Sequence, residues 1–142
     1  MAGAATTTLH ATTVTVANRA VVLTGRAGSG KSATALELMA YGALLVADDS
    51  TRLTRTGRTL TAAPAGPVRG LIEARGVGLL YAASVSGAKV ALAVDLDRKE
   101  TERLPPQRTI AWLDVEIPLI FRVEGRHFAP AILQYLKAAR HR

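Results

Sequence analysis

The amino-acid sequence predicts an α/β domain built around a mixed β-sheet. β-Branched and aliphatic runs recur between turn residues, and two segments have helical periodicity. Short turn-like gaps join several of the runs, which favours hairpins and therefore much antiparallel pairing. Aromatic residues make up only 4% of the chain, while Ala, Val, Leu and Thr are abundant, so we expect an aliphatic core between a sheet and its helices.

Strands are predicted where β-branched or apolar residues form short runs between turn residues. In chain order these runs are 12–16, 20–24, 43–47, 51–54, 59–63, 77–83, 90–96 and 110–123. The first two flank Asn18 and Arg19, and the fourth and fifth flank Gly57, so each pair is expected to form a hairpin. The last run is expected to hold one or two strands, broken by Pro118.

Helical and irregular segments complete the predicted order. The predicted helices are 32–41 and 129–139, with a single helical turn at 71–75. Segment 97–108 is charged and contains two prolines, so we expect a mobile loop there. Residues 1–8 are small and polar and are expected to be disordered. The whole chain, residues 1–142, is expected to form one domain.

The composition excludes several classes of protein. Hydrophobic residues make up 49% and charged residues 20% of the chain, which is typical of a globular protein. Cysteine is absent, which excludes disulfides and thiolate metal sites and suits the cytoplasm. No apolar run reaches the roughly 18 residues that span a bilayer, so no membrane association is expected.

The net charge of +7 at pH 7 leaves several partners open. A solvated basic surface, nucleic acid, an acidic protein partner and phosphorylated ligands all fit this charge. The basic residues are spread along the chain, and aromatic residues do not alternate with them. A base-stacking surface for nucleic acid is therefore not expected.

A glycine-rich loop between a predicted strand and a predicted helix carries the most specific pattern. The pattern G-x-x-x-x-G-K-[ST] is matched by Gly25, Arg26, Ala27, Gly28, Ser29, Gly30, Lys31 and Ser32, which we call the phosphate loop. Its glycines let backbone N–H groups converge with the helix N-terminus into a cradle for phosphate. Lys31 supplies a charge for the β- and γ-phosphates, and the Ser32 hydroxyl is placed to bind Mg²⁺. The alternative is a glycine turn with Lys31 in solvent, but the flanking strand and helix favour the phosphate loop.

Two adjacent aspartates, Asp48 and Asp49, follow the predicted buried strand 43–47. Carboxylates at a strand end beside a phosphate loop can hold a metal and its waters, or take a proton from an attacking hydroxyl. The alternative is an ordinary turn, since Asp48-Asp49-Ser50 is also good turn chemistry. The neighbouring phosphate loop favours the functional interpretation.

Two segments together resemble the catalytic domain of bacterial HPr kinase/phosphorylase. They are residues 22–50, VLTGRAGSGKSATALELMAYGALLVADDS, and residues 70–80, GLIEARGVGLL. The resemblance covers roughly residues 9–130. It implies a P-loop core like that of phosphoenolpyruvate carboxykinase. It also implies an enzyme that uses ATP and Mg²⁺ to phosphorylate a serine of HPr, the phosphocarrier protein of the sugar phosphotransferase system, and that can remove this phosphate.

The resemblance implies roles for residues of the nucleotide site. Lys31 and Ser32 match the family's phosphate lysine and metal-binding hydroxyl. Asp49 matches the aspartate that acts as base in the kinase direction and as acid in reverse. Asp48 is its neighbour at the site.

Four residues outside the phosphate loop also match the family. His10 matches a histidine ahead of the first strand pair and is implied to be catalytic. Glu73 matches a metal-linked glutamate, and Arg75 lies in the same signature. Arg103 matches a catalytic arginine on a flexible loop that meets the protein substrate. By themselves these residues also fit a surface histidine, a surface ion pair and a solvated loop arginine.

Family members typically carry a domain before this one and a helical segment after it, so the resemblance implies a short form with the catalytic P-loop domain alone. The family's assembly implies a homo-oligomer. We expect the missing segments to affect assembly, HPr binding and the reverse reaction, and to leave the nucleotide site intact.

Other functions fit the residues as well. The chain could be a kinase for another protein or a small molecule, or a nucleotide-binding sensor with little transfer activity. The charge alone prompts a third alternative, a nucleic-acid-binding ATPase, but motor ATPases usually need further motifs and a larger chain. A pure binder would not need Asp49 or Glu73, so a serine kinase acting on HPr is the leading hypothesis.

Overall fold

Strands dominate the part of the chain that the computed structural model describes, residues 5–67 and 69–141. The strands are β1 (Ala5–Leu9), β2 (Ala11–Val16), β3 (Arg19–Thr24), β4 (Leu44–Ala47), β5 (Thr51–Thr56), β6 (Thr59–Pro64), β7 (Leu71–Ala74), β8 (Gly78–Tyr81), β9 (Ala88–Lys99), β10 (Arg108–Trp112) and β11 (Val115–Arg122). The helices are α1 (Lys31–Ala40) and α2 (Phe128–Ala138). No helix within the described residues is both long and apolar enough to cross a membrane.

Nine strands form one mixed sheet, which confirms the predicted fold class. The order is β1-β5-β6-β9-β3-β2-β4, and β11, with β10 beside it, joins through β9. β9 lies parallel to both β3 and β11, while the other pairs in this sheet are antiparallel. Because β3, β9 and β11 run in one direction, the loops that follow them leave the sheet at the same edge. β2 is antiparallel to both β3 and β4, so β4 runs in the same direction as β3, and the loop that follows β4 leaves the sheet at that edge as well.

The sheet buries apolar side chains on both faces, which follows from the two-residue period of a strand. In β3, Val21 and Leu23 pack in the cluster that includes residues of α1 and α2. The alternate residues Ala20 and Val22 pack in a second cluster made of strand residues. Ile132 of α2 is fully buried in the first cluster, so α2 packs by its apolar face. α1 packs in the same cluster through Ala35 and Leu38, so the phosphate loop, which joins β3 to α1, lies near the centre of the sheet.

The locally encoded elements agree with the sequence. β2 and β3 form the predicted first hairpin, and β5 and β6 form the second around Gly57. The two predicted helices are present with ends shifted by a residue or so, which is within the ordinary scatter of helix boundaries.

Two segments predicted to be irregular or helical are strands instead. Disorder over residues 1–8 is wrong for 5–8, because β1 pairs with β5; residues 1–4 lie outside the described residues. The helical turn at 71–75 is also wrong, because β7 pairs antiparallel with β8 in a separate two-stranded sheet. Its side chains alternate, with Ile72 and Ala74 buried and Glu73 exposed, as a strand requires.

The mobile loop predicted at 97–108 is partly wrong. β9 continues to Lys99 and β10 begins at Arg108, so only residues 100–107 connect them. The segment is charged because Asp97, Arg98 and Lys99 at this strand end are all exposed to solvent, which the composition alone did not distinguish from a loop.

Pro118 does not break the last strand. It lies inside β11, one residue before Leu119, where the pairing with β9 begins. Its missing N–H group is therefore tolerated at this point of the strand. The break falls earlier, at Leu113 and Asp114, whose φ angles of 52° and 62° form the hairpin turn between β10 and β11.

Candidate functional site

Glycines shape the backbone of the phosphate loop where it leaves β3. Gly25, Gly28 and Gly30 have φ angles of 147°, 85° and 103°, a region in which only glycine is free of strain. At Gly25 a Cβ atom would lie 2.4 Å from the Ser29 hydroxyl oxygen, so contact also excludes a side chain there. The loop closes on itself through the Ser29 N–H, which donates to the Arg26 carbonyl at 3.0 Å.

The start of α1 is left available to an anion. Gly30 is the N-cap and provides no side-chain cap, and the first turn contains no acidic residue. The first N–H groups of a helix have no partner inside it, and they carry the positive end of the helix dipole. This geometry, next to the curled glycine backbone, is suited to phosphate.

Lys31 bends back over the loop instead of extending into solvent. Its side chain is buried, with only 6% exposed. Its amino group donates to the carbonyl oxygens of Gly25 at 2.7 Å and Arg26 at 3.1 Å. The solvent-exposed lysine of the alternative interpretation is therefore ruled out, and the positive charge is held within the phosphate loop.

Asp48 connects the phosphate loop to β2 and β7. Its Oδ1 accepts hydrogen bonds from the hydroxyls of Ser32 and Thr12, each at 2.8 Å. Its Oδ2 accepts the backbone N–H of Glu73 at 3.0 Å. The Ser32 hydroxyl and the Asp48 carboxylate are therefore in direct contact at the edge of the sheet.

Asp49 points away from this cluster toward His10. Its Oδ1 lies 3.2 Å from His10 Nε2, and its side chain is 66% exposed. The backbone of Asp49 has a φ angle of 69°, and its N–H donates to the Thr12 hydroxyl at 3.3 Å. The two adjacent carboxylates therefore occupy different surroundings, one partly buried and bonded, the other open to a partner.

Two contacts of the site were missed by sequence reasoning. Thr12 is fully buried in β2, a strand covered on both faces, where a polar side chain needs a partner. Asp97, at the end of β9, accepts the backbone N–H of Arg26 with both carboxylate oxygens, at 3.1 and 3.3 Å. An acidic residue at the end of a strand parallel to β3 is a signal that could have placed Asp97 beside the phosphate loop.

The other predicted site residues, Glu73, Arg75 and Arg103, make few contacts with the rest of the site. Glu73 contacts Asp48 through its backbone N–H, and its side chain is exposed. Arg75 lies in the β7–β8 turn, and Arg103 lies in the exposed loop between β9 and β10. Neither arginine forms a hydrogen bond or ion pair with another described residue. The roles assigned to all of the predicted site residues, including those of the phosphate loop, stay predictions.

The side-chain oxygens of Ser32 and Asp48, beside the phosphate loop, are suitable ligands for Mg²⁺. A hydroxyl and a carboxylate are the hard oxygen ligands that Mg²⁺ takes together with phosphate oxygens and water. Across residues 5–67 and 69–141, no three His, Cys, Asp or Glu side chains gather into a metal cluster. A metal here would therefore depend on Ser32, on Asp48 and on the phosphates of a bound nucleotide, while the metal role predicted for Glu73, whose side chain is exposed, stays a prediction.

Comparison with solved structures defines the class of fold. The chain resembles the solved Hpr(Ser) kinase/phosphatase from Coxiella burnetii with a TM-score of 0.76 and 25% sequence identity. The match covers 92% of this chain and 88% of that chain. The mixed sheet with helices on one face is thus the fold of an HPr kinase/phosphatase domain.

Sequence comparison then gives the family. The model of the HPr serine kinase C-terminal domain matches residues 2–120, and the chain belongs to this family. An HPr kinase/phosphorylase of Exiguobacterium is 33% identical over 127 residues, covering 80% of this chain and 41% of the relative. The HPr kinase/phosphorylase of Caldicellulosiruptor bescii is 35% identical over 137 residues, covering 86% of this chain and 44% of the relative. The chain thus spans about two fifths of the length of these curated relatives.

Proposed function

We propose that this chain carries the catalytic activity of an ATP-dependent serine kinase whose protein substrate is HPr. The observation that carries the proposal is the Ser32–Asp48 hydrogen bond of 2.8 Å, because it joins the phosphate loop to the strand end that holds Asp49. A phosphate cradle, a metal-binding hydroxyl and a carboxylate base would then lie at one edge of the sheet. The family and the named relatives support HPr as the substrate.

The phosphate loop would bind and orient the nucleotide. Its backbone N–H groups, with those of the first turn of α1, would hold the phosphates, and Lys31 would exchange its carbonyl partners for phosphate oxygens. Asp97 supports the loop from β9 by holding the Arg26 N–H. Mg²⁺, held by Ser32 and Asp48, would neutralise charge on the β- and γ-phosphates.

Asp49 is proposed as the base that receives the serine proton. The serine oxygen bonds to the γ-phosphorus, its proton passes to the Asp49 carboxylate, and the bond to the bridging oxygen of ADP breaks. His10, 3.2 Å from Asp49, orients this carboxylate and can balance its charge when protonated. In the proposed phosphorylase direction, an oxygen of inorganic phosphate would bond to the phosphorus of the serine phosphate, the bond from that phosphorus to the serine oxygen would break, and Asp49 would return the proton to the serine oxygen as an acid.

We also propose a cytoplasmic homo-oligomer. The β7–β8 hairpin exposes Val77 (74%), Leu79 (66%) and Tyr81 (93%), which would be costly to leave in water. Burial of this hairpin in a subunit contact would remove that cost, and light scattering on the purified chain measures the assembly.

The test of substrate is a transfer assay with the purified chain, labelled ATP, Mg²⁺ and HPr. HPr with its target serine changed to alanine is the matched control. Label on normal HPr alone would support the proposal. Tight ATP binding without label on HPr would exclude HPr as substrate and favour another protein, a small molecule or a sensor role.

A further inference from the structure

The loop 100–107, which carries Arg103, is joined at its two ends by a pair of side chains. Arg108, the first residue of β10, donates to both carboxylate oxygens of Glu100, the residue after β9, with the Arg108 Nη2–Glu100 Oε2 contact at 3.4 Å. The Glu100 side chain is 7% exposed and that of Arg108 is 25% exposed. A bidentate pair with so little exposure is held far more firmly than a surface ion pair.

Glu100 also orders the first turn of the loop. Its Oε2 accepts the backbone N–H groups of Thr101 at 3.1 Å and Glu102 at 3.3 Å. These are the two residues immediately before Arg103. The hydrogen bond from Arg108 is the main reason that the pKa of Glu100 lies below its usual value, and burial opposes it. The carboxylate is therefore ionised at neutral pH and keeps all of its acceptor contacts.

Further contacts fix this pair to the rest of the domain. The Arg108 guanidinium lies over the Phe121 ring of β11, 4.2 Å from its centroid. The backbone N–H of Glu100 donates to the Arg122 carbonyl at 2.8 Å. At the far side of the loop, Arg140 after α2 donates to the Pro105 carbonyl. The loop is thus held by the sheet and by the end of α2, although its sequence is typical of a mobile segment.

The place of the loop connects it to the phosphate loop. β9 and β3 are parallel, with Asp95 opposite Thr24, so both loops leave the sheet at one edge. Asp97 holds the Arg26 N–H only three residues before Glu100. The same strand end therefore supports the phosphate loop on one side and the Arg103 loop on the other.

We propose that Glu100 and Arg108 are positioning residues that hold Arg103 for contact with the protein substrate. This inference rests on the proposed function and on the substrate contact that the family resemblance implies for Arg103. The pair does not contact the substrate and acts through the loop. Loss of the pair would therefore displace Arg103. A displacement of about 1 Å in such a group can cost on the order of 10²-fold in rate.

The central variant is Glu100→Gln, because an amide cannot accept all the N–H groups that the carboxylate accepts. The matched control is Glu124→Gln, which removes an exposed acid 3.6 Å from Lys99 of the same strand end. We expect Glu100→Gln to lower kcat/KM for HPr about tenfold or more, with the KM for ATP unchanged. Glu124→Gln should leave both constants within about twofold.

Arg108→Lys serves as a second variant, since lysine keeps the charge but loses the paired geometry and the ring stacking. It should follow Glu100→Gln in direction. Limited trypsin digestion reports on the loop directly, because cleavage after Arg103 should be faster in both variants than in the unaltered chain. Thermal unfolding of each variant identifies any that simply loses its fold.

The decisive measurement places Glu100→Gln in an Arg103→Ala background. If the pair acts through Arg103, the second change should add less than about twofold to the loss already caused by the first. Additive losses, or a Glu100→Gln chain with full activity toward HPr, would overturn the positioning role while the proposed kinase function stands. A chain that transfers no phosphate to HPr at all would overturn both.

Discussion

Changing each of the two adjacent aspartates to asparagine is expected to impair different properties of the protein. Asp49→Asn keeps the size of an exposed side chain and suits the left-handed backbone at this position. The free energy of unfolding should change by no more than about 0.5 kcal/mol. The transfer rate should fall about 10²- to 10⁴-fold, which is the contribution of a positioned general base.

Asp48→Asn should instead damage the structure of the site. The Asp48 carboxylate accepts two hydroxyl hydrogen bonds on Oδ1 and one backbone N–H on Oδ2. An amide has one oxygen, so at least one of these donors would face an NH₂ group. A hydrogen bond to a charged group contributes about 1.5–3 kcal/mol, and we expect the chain to lose stability of about that size. Binding of ATP with Mg²⁺ should weaken by about tenfold or more, since each 1.4 kcal/mol is tenfold.

Three measurements separate these outcomes. Urea unfolding gives stability, titration with a fluorescent ATP analogue gives affinity, and single-turnover transfer to HPr gives the chemical rate. Loss of nucleotide affinity or stability together with transfer in Asp49→Asn would mean that Asp49 is structural. Full stability and transfer in Asp48→Asn would refute the bridging role argued from its three hydrogen bonds.

Three further changes test other parts of the molecule. Gly25→Ala should abolish nucleotide binding, because its Cβ would lie 2.4 Å from the Ser29 hydroxyl, whereas Gly66→Ala, outside the phosphate loop and with open space around it, is the control in the same titration. Ile132→Ala removes a fully buried side chain from the helix cluster and should cost about 2–5 kcal/mol in urea unfolding. The lowered pKa of Glu100 stabilises the fold above its unfolded pKa, and this is lost as pH falls through the folded pKa. The stability difference between the unaltered chain and Glu100→Gln should therefore shrink below about pH 4.

The features that the sequence predicted well are those encoded within a few residues. The glycine-rich turn at residues 25–30, the α1 helix behind it and the hairpin around Gly57 depend on glycine placement and local periodicity. Asp48 was correctly placed beside the loop because a short buried strand ends just before it. His10 was singled out by the family resemblance alone, since an exposed histidine has no local signature, and its contact with Asp49 was not predicted.

The features that the sequence did not predict depend on pairings between distant residues. Thr12 and Asp48 are 36 positions apart, and Arg26 and Asp97 are 71 positions apart, so no local pattern joins them. The segment 71–75 was predicted as a helical turn because its partner β8 is needed to reveal the strand alternation. Tertiary pairing of this kind overrides local propensity in strands more than in helices.

The backbone conformation of Asp49 explains why two neighbouring carboxylates face different partners. A φ angle of 69° turns the chain after β4, so Asp48 faces Ser32 while Asp49 faces His10. Aspartate, asparagine and glycine accept this conformation readily, whereas an alanine would add strain of about 1–2 kcal/mol. An alanine variant would therefore mix the loss of the carboxylate with a shift of the turn that also positions Asp48. Asparagine keeps the turn, so any transfer defect that remains in Asp49→Asn belongs to the carboxylate itself.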